Sequence, residues 1–88
     1  MRYVVAPEVM AVDVADGGVV MLDVDQAAYF GLEEVAAEIW RLLAEPRSVD
    51  EIVEALLGSF EVEREQCASE TSAFLAVLEQ RHLVTTVA

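Results

Sequence analysis

Cys67 and His82 are the two residues of this chain whose types could supply a nucleophile and a general base. Both fall in one stretch of helical periodicity, fifteen residues apart. At about 1.5 Å rise per residue that spacing separates them by roughly 20 Å, so no dyad can form within one chain. Cys67 then reads as a small buried apolar residue, and His82 as a helix C-terminal residue whose partial positive charge suits the dipole. Asp23 and Asp25 flank Val24 in a turn. A two-carboxylate cation site stays open there, but a calcium loop needs more oxygens at wider, regular spacing, and solvated turn residues are the favoured reading. Glu33, Glu34, Glu61, Glu63 and Glu65 fall in or just before first helical turns, where carboxylates are stabilised. There is no glycine-rich phosphate loop, serine elbow or metal motif. The expectation is a chain that is not an enzyme by itself and has no cofactor, no metal and no catalytic residue.

Those residues are carried by 88 amino acids, enough for a single domain with one modest core and too few for an elaborate catalytic cleft. Seventeen Asp and Glu oppose five Arg and no Lys, a net charge of -12. A nucleic-acid binder needs cations to displace phosphate counterions, so the charge argues strongly against DNA or RNA as a partner, and a neutral or basic partner is expected. One cysteine removes an intrachain disulfide. Acidic residues at Glu8 and Asp13 interrupt the N-terminus too early for a signal peptide, and no apolar run approaches the roughly 20 residues of a membrane span. A soluble cytoplasmic protein is expected.

The elements follow from periodicity. Val9–Val14 has strand propensity, Asp16-Gly17-Gly18 tolerates positive φ, and Val19–Val24 resumes a β-branched apolar run. A turn at Asp25-Gln26 leads into a third strand, Ala27–Gly31, closing an antiparallel meander with Val19–Val24 in the middle. Alternation places Val20, Leu22, Val24, Ala28, Phe30 and Leu32 inward and Val19, Met21 and Tyr29 on the other face. From Glu33 the period becomes helical, with Val35, Ile39, Trp40, Leu42 and Leu43 as the core stripe. Ser48-Val49-Asp50-Glu51 is a capping box opening a second helix, which Gly58 should stop. A third helix runs from about Glu63 to about His82 and buries Cys67, Thr71, Phe74, Leu75 and Leu78.

The third strand is the feature with functional consequence. Unpaired strands are normally blunted by Lys, Pro or a covering element, and none of those residues occurs between Gln26 and Leu32. Either another part of the chain covers this edge or a different polypeptide does.

Val20-Met21-Leu22-Asp23, Tyr29-Phe30-Gly31-Leu32, Ile39-Trp40-Leu42-Leu43, Ser48-Val49-Asp50-Glu51-Ile52, and Phe74-Leu75 with Leu78 and Leu83 together resemble the PqqD-like family over about Val9 to Val84. Short members of this type are similar to the recognition elements for ribosomally made, later modified peptides (RiPPs) in lasso-peptide gene clusters. The resemblance implies an α+β, winged-helix-like fold, a three-stranded antiparallel sheet followed by three helices, as one domain over residues 1–88. It implies leader-peptide binding along the third strand and against the third helix, with a leader-cleaving cysteine protease and a cyclase as partners. Two positions depart from the family pattern: Glu33 replaces a common Asn, and His82 a common Gly, so His82 must accept the backbone geometry that Gly supplies.

The resulting expectation is a peptide-binding module that works by strand addition, in which main-chain hydrogen bonds supply affinity and side-chain pockets supply specificity. Its expected contacts are Ala27, Ala28, Tyr29 and Phe30 on the strand and Ala68, Thr71, Ser72 and Leu75 on the third helix, with Leu75 equally readable as core. Phe74 and Leu78 are assigned to the core. Glu70 and Glu79 would attract basic leader residues. The rivals are a PqqD-like peptide chaperone for a radical enzyme, a winged-helix DNA binder disfavoured by the charge, a carrier protein excluded because Ser59 lies in Gly-Ser-Phe, and a subunit that dimerises through the free edge.

Overall fold

In the computed structural model, which describes residues 1–14, 17–23, 28–32 and 34–87, the chain runs β1 (Arg2–Val5), β2 (Val9–Asp13), β3 (Val19–Asp23), β4 (Ala28–Leu32), α1 (Glu34–Leu42), α2 (Val49–Ser59), α3 (Arg64–Gln80) and β5 (Val84–Val87). The expected turn at Asp25-Gln26, together with Asp16, Val24, Ala27 and Glu33, lies outside the described residues. The fold is the expected α+β, winged-helix-like one, with a three-stranded antiparallel sheet in the order β2-β3-β4 and three helices after it. A two-stranded ribbon of β1 and β5 is added to it.

β-Branched and apolar residues make β3 the central strand, and Gly17, at φ 80, takes the left-handed backbone that the first turn requires. The register sets Met10 opposite Leu22 and Val12 opposite Val20 across β2 and β3. Across β3 and β4 it pairs Val19 with Leu32, Met21 with Phe30, and Leu22 with Tyr29. The facing differs from the alternation expected. Val19 and Met21 are the buried residues, whereas Val20 and Leu22 are half-buried on the opposite face. Phe30 therefore shares a register position with Met21 and not with Leu22. Because four successive residues of β3 are apolar, the sequence carries no phase, and packing against the helices chose one of two equivalent alternations.

Helix boundaries are set locally. Ser48 Oγ accepts from the Glu51 backbone N–H at 3.1 Å while the Ser48 N–H donates to Glu51 Oε1 at 2.8 Å, the reciprocal pair of a capping box. Gly58 does not stop α2, which runs one residue further and ends on an extended Phe60. In α1 the buried side chains are Ala37, Ile39 and Trp40, with Leu43 just beyond. At the end of α3, His82 adopts φ 61. Its N–H reaches Glu79 O at 3.0 Å and the Leu83 N–H reaches Leu78 O at 2.9 Å, a Schellman motif with histidine in the position glycine usually takes. Leu78 and Leu83 are both buried, which ties this C-terminus into the core.

The ribbon joins the two ends of the chain, with Arg2 opposite Val87 and Val5 opposite Val84. Tyr3 and Arg47 exchange backbone hydrogen bonds at 2.7 and 2.9 Å, the Val5 N–H donates to Leu43 O at 3.0 Å, and the Ala6 N–H donates to Leu83 O at 3.0 Å. The N-terminal strand thus stitches the α1–α2 connection to the end of α3.

Candidate functional site: a one-sided strand and an apolar cleft

Among the described residues, β4 has a hydrogen-bonded neighbour on one side only, namely β3. Its outer edge leaves backbone donors and acceptors without a strand partner among the described residues. α1 begins two residues after β4 ends, and its first turns form one wall of a cleft of about 490 Å³. Val35, Ala36 and Ile39 line that wall. The opposite wall is α3, through Cys67, Thr71 and Phe74, and Val62 closes the end from the α2–α3 connection.

The floor is apolar. Ile39, Cys67 and Thr71 are buried, and Val35, Ala36, Val62 and Phe74 are half-buried. Cys67 Sγ lies 4.0 Å from Thr71 Oγ1, so the buried hydroxyl of Thr71 is partnered by the thiol. The rim is acidic: Glu61, Glu63, Gln66 and Glu70 are exposed, and Gln66 Nε2 donates to Glu70 Oε2 at 3.1 Å. Among the described residues that line the cleft, none is basic. The nearest arginine in sequence, Arg64, pairs with Glu54 at 2.6 Å. Such a site suits an apolar side chain in the floor with a cation at the rim.

The expected site residues are distributed unevenly. Ala28, Tyr29 and Phe30 are in β4, paired with Asp23, Leu22 and Met21 respectively, and Ala27 lies outside the described residues. On α3, Thr71 alone of the expected four lines the cleft. Ala68 is half-buried against the core, Ser72 is exposed, and Leu75 is fully buried. The stripe that faces the cleft, Glu63, Gln66, Cys67, Glu70, Thr71 and Phe74, is the expected stripe rotated by one residue, about 100° around the helix. Phe74, assigned to the core, packs against the core but also lines the cleft. Val35, Ala36 and Val62 were not anticipated, and their signal was only their place at the start of α1 and before α3.

Cys67 is in the first turn of α3 and His82 lies two residues beyond its end, so the helix holds them apart. No group of three His, Cys, Asp or Glu side chains among the described residues is placed to hold a metal ion. No helix of the described residues is long and apolar enough to cross a membrane.

These features define a winged-helix-like α+β domain with a free sheet edge and an apolar cleft between its first and third helices. The model of the family described as Coenzyme PQQ synthesis protein D (PqqD) matches residues 18–84, and the chain belongs to the PqqD family. It is similar to the structure titled "TbiB1 in Complex with the TbiA(beta) Leader Peptide", with 30% identity, a TM-score of 0.86, and coverage of 97% of this chain and 98% of that one. The fold also matches "Lasso peptide synthetase B1 complexed with the leader peptide" at 24% identity, with a TM-score of 0.83 and coverage of 97% of this chain and 99% of that one. No curated protein sequence matches the chain.

Proposed function

We propose that this chain is a non-catalytic RiPP recognition element of lasso-peptide biosynthesis. It captures the leader of a precursor peptide by strand addition to β4 and delivers it to a leader-cleaving cysteine protease and a cyclase in the cytoplasm. The one-sided pairing of β4 is the observation that carries this reading. An extended peptide laid along that edge gains main-chain hydrogen bonds without any change in the sheet. The contacts assigned to it are Ala27, Ala28, Tyr29 and Phe30 along the strand, with Ala68, Thr71, Ser72 and Leu75 from the expected helix set. Of these, Thr71 reaches the cleft directly, and Phe74 joins it there. The cleft takes an aromatic or aliphatic leader side chain, and exposed Glu70 adds a contribution of only about 0–1 kcal/mol toward a basic neighbour. The structural likeness over nearly the full chain to TbiB1, which was solved in complex with a leader peptide, supports the leader-binding role.

The test is a fluorescence-anisotropy titration of the leader encoded beside this gene against the wild-type chain and Ala28→Pro. Ala28 opens β4, a place where proline is tolerated, so the variant should unfold cooperatively as the wild type does while losing the leader. Full leader binding by the folded variant would remove the strand-addition mechanism.

A further inference from the structure

Gly31 sits inside β4, where a glycine weakens a strand because it has more chain entropy to lose and no side chain to pack. Nothing in the fold asks for it. Gly17 takes positive φ and Gly31 does not, and a Cβ added at Gly31 would meet no atom of the described residues within 4 Å beyond its chain neighbours. The ladder shows which way its backbone points. The Val14 N–H donates to Gly18 O at 3.0 Å, so the hydrogen-bonded pairs of β2 and β3 are those in step with it, Val12 with Val20 and Met10 with Leu22. Val20 and Leu22 thus turn their backbone groups to β2. The residues of β4 opposite them, Gly31 and Tyr29, turn theirs to the outer edge, where an added strand would lie.

Val20, the half-buried neighbour of Gly31 on β3, lies two strand spacings, roughly 10 Å, from a strand added outside β4, with only glycine between them. Any larger residue at position 31 would fill that gap. As glycine it leaves an exposed notch, open to the side chain of the peptide residue set beside it. An aromatic or long aliphatic side chain lying across the notch covers the bare backbone and reaches the Val20 methyls, as aromatic neighbours do for edge glycines in sheets. A short or charged one does neither. We infer that Gly31 is a specificity-determining leader contact: its main chain hydrogen-bonds the leader, and its missing side chain admits one large apolar leader residue on the face away from the buried Val19 and Met21. The inference rests on the leader-binding reading and adds to its strand contacts a residue that reading did not include.

The experiment titrates the labelled leader encoded beside the gene against wild type, Gly31→Val, Gly31→Ala and Gly58→Ala, with thermal unfolding of each. Gly58, inside α2, also has open space around an added Cβ and controls for a glycine replaced away from β4. The Gly31 variants should melt at or above the wild-type temperature, because a β-carbon restricts the unfolded chain, and alanine covers the case in which valine distorts the strand. Leader affinity should fall by about tenfold or more with Gly31→Val, less with Gly31→Ala, and stay within about twofold with Gly58→Ala. An alanine scan of the leader should find one large apolar residue whose truncation weakens binding to wild type and barely changes binding to Gly31→Val. Unchanged leader affinity in folded Gly31→Val overturns the inference and leaves the leader reading standing, as does a scan in which no large apolar residue couples to position 31. A lower melting temperature for both Gly31 variants overturns it too, since the glycine would then serve the fold. If wild type does not bind the leader, the leader reading fails and the inference with it.

Discussion

Arg41 Nε donates to Asp13 Oδ1 at 3.0 Å, and Arg41 Nη2 donates to the Gly17 carbonyl at 2.8 Å. One guanidinium on α1 therefore grips both arms of the β2–β3 hairpin, the strand end and the turn. Glu38, one turn back on α1, lies 3.6 Å from Nη1 of the same arginine and holds it in place. Among the described residues, these bonds tie the three-stranded sheet to α1 beside the buried side chains of Val19 and Met21.

Arg41→Ala should free the hairpin without unfolding the domain. The Asp13 side is 74% exposed, so the loss of stability should stay within about 1 kcal/mol. Amide hydrogen exchange should accelerate across residues 9–14 and 18–23 and leave α2 and α3 unchanged. Uniform acceleration in all elements would show that the clamp is global. Leader affinity should fall modestly, because β4 hangs from the same sheet.

Phe74 and Leu75 are neighbours in different surroundings, Phe74 at the cleft and Leu75 in the core. Leu75 is fully buried, and Leu75→Ala should cost about 2–5 kcal/mol of stability in urea unfolding. Phe74 is half-buried at the cleft, so Phe74→Ala should cost less stability than Leu75→Ala and weaken the leader by about tenfold. The reverse pattern, with Leu75→Ala stable and defective in binding, would return the contact stripe to the face first expected from the sequence.

His82 occupies left-handed backbone, a conformation that costs an L-residue roughly 1–2 kcal/mol. His82→Gly should stabilise the domain by up to about 1 kcal/mol, because the left-handed strain that glycine relieves exceeds the extra chain entropy it loses on folding. His82→Val, β-branched at the same φ, should destabilise it. The readout is the denaturation midpoint at constant slope, and a neutral glycine variant would mean the histidine is held without strain.

The Glu51 carboxyl is held below its ordinary 4.5, first by the backbone hydrogen bond from Ser48 and then by the charge of Arg2. A group whose folded pKa is depressed adds stability above its unfolded pKa and loses it as pH falls through the folded value. Melting temperature should therefore drop on acidification below the ordinary glutamate range, and Glu51→Gln should flatten that part of the curve. Ser48→Ala should cost about 1 kcal/mol at neutral pH. An acid slope unaltered by Glu51→Gln would place the titration on other carboxylates.

Local chemistry was legible in the sequence because it depends on neighbours within one turn. The Ser48–Glu51 capping box, the helical stripes of Ile39 and Trp40 or Ile52 and Leu56, and the tolerance of Gly17 all follow from residues a few positions apart, whereas the demand placed on His82 came from the family resemblance. The order of strands in the meander was legible for the same reason, since short turns join consecutive antiparallel neighbours, and with it the one-sided pairing of β4.

Tertiary structure alone decided three matters. It paired Arg2–Val5 with Val84–Val87, because the hydrogen-bond partners come from opposite ends of the chain and neither segment has a turn that points to the other. It chose Val19 and Met21 over Val20 and Leu22 as the inward residues of β3, because an uninterrupted apolar run offers both phases equally and only the packed helices distinguish them. It also rotated α3 so that Cys67, Thr71 and Phe74, and not Ala68, Ser72 and Leu75, face the cleft. A helix with small or apolar residues on several faces presents whichever one its neighbours leave uncovered.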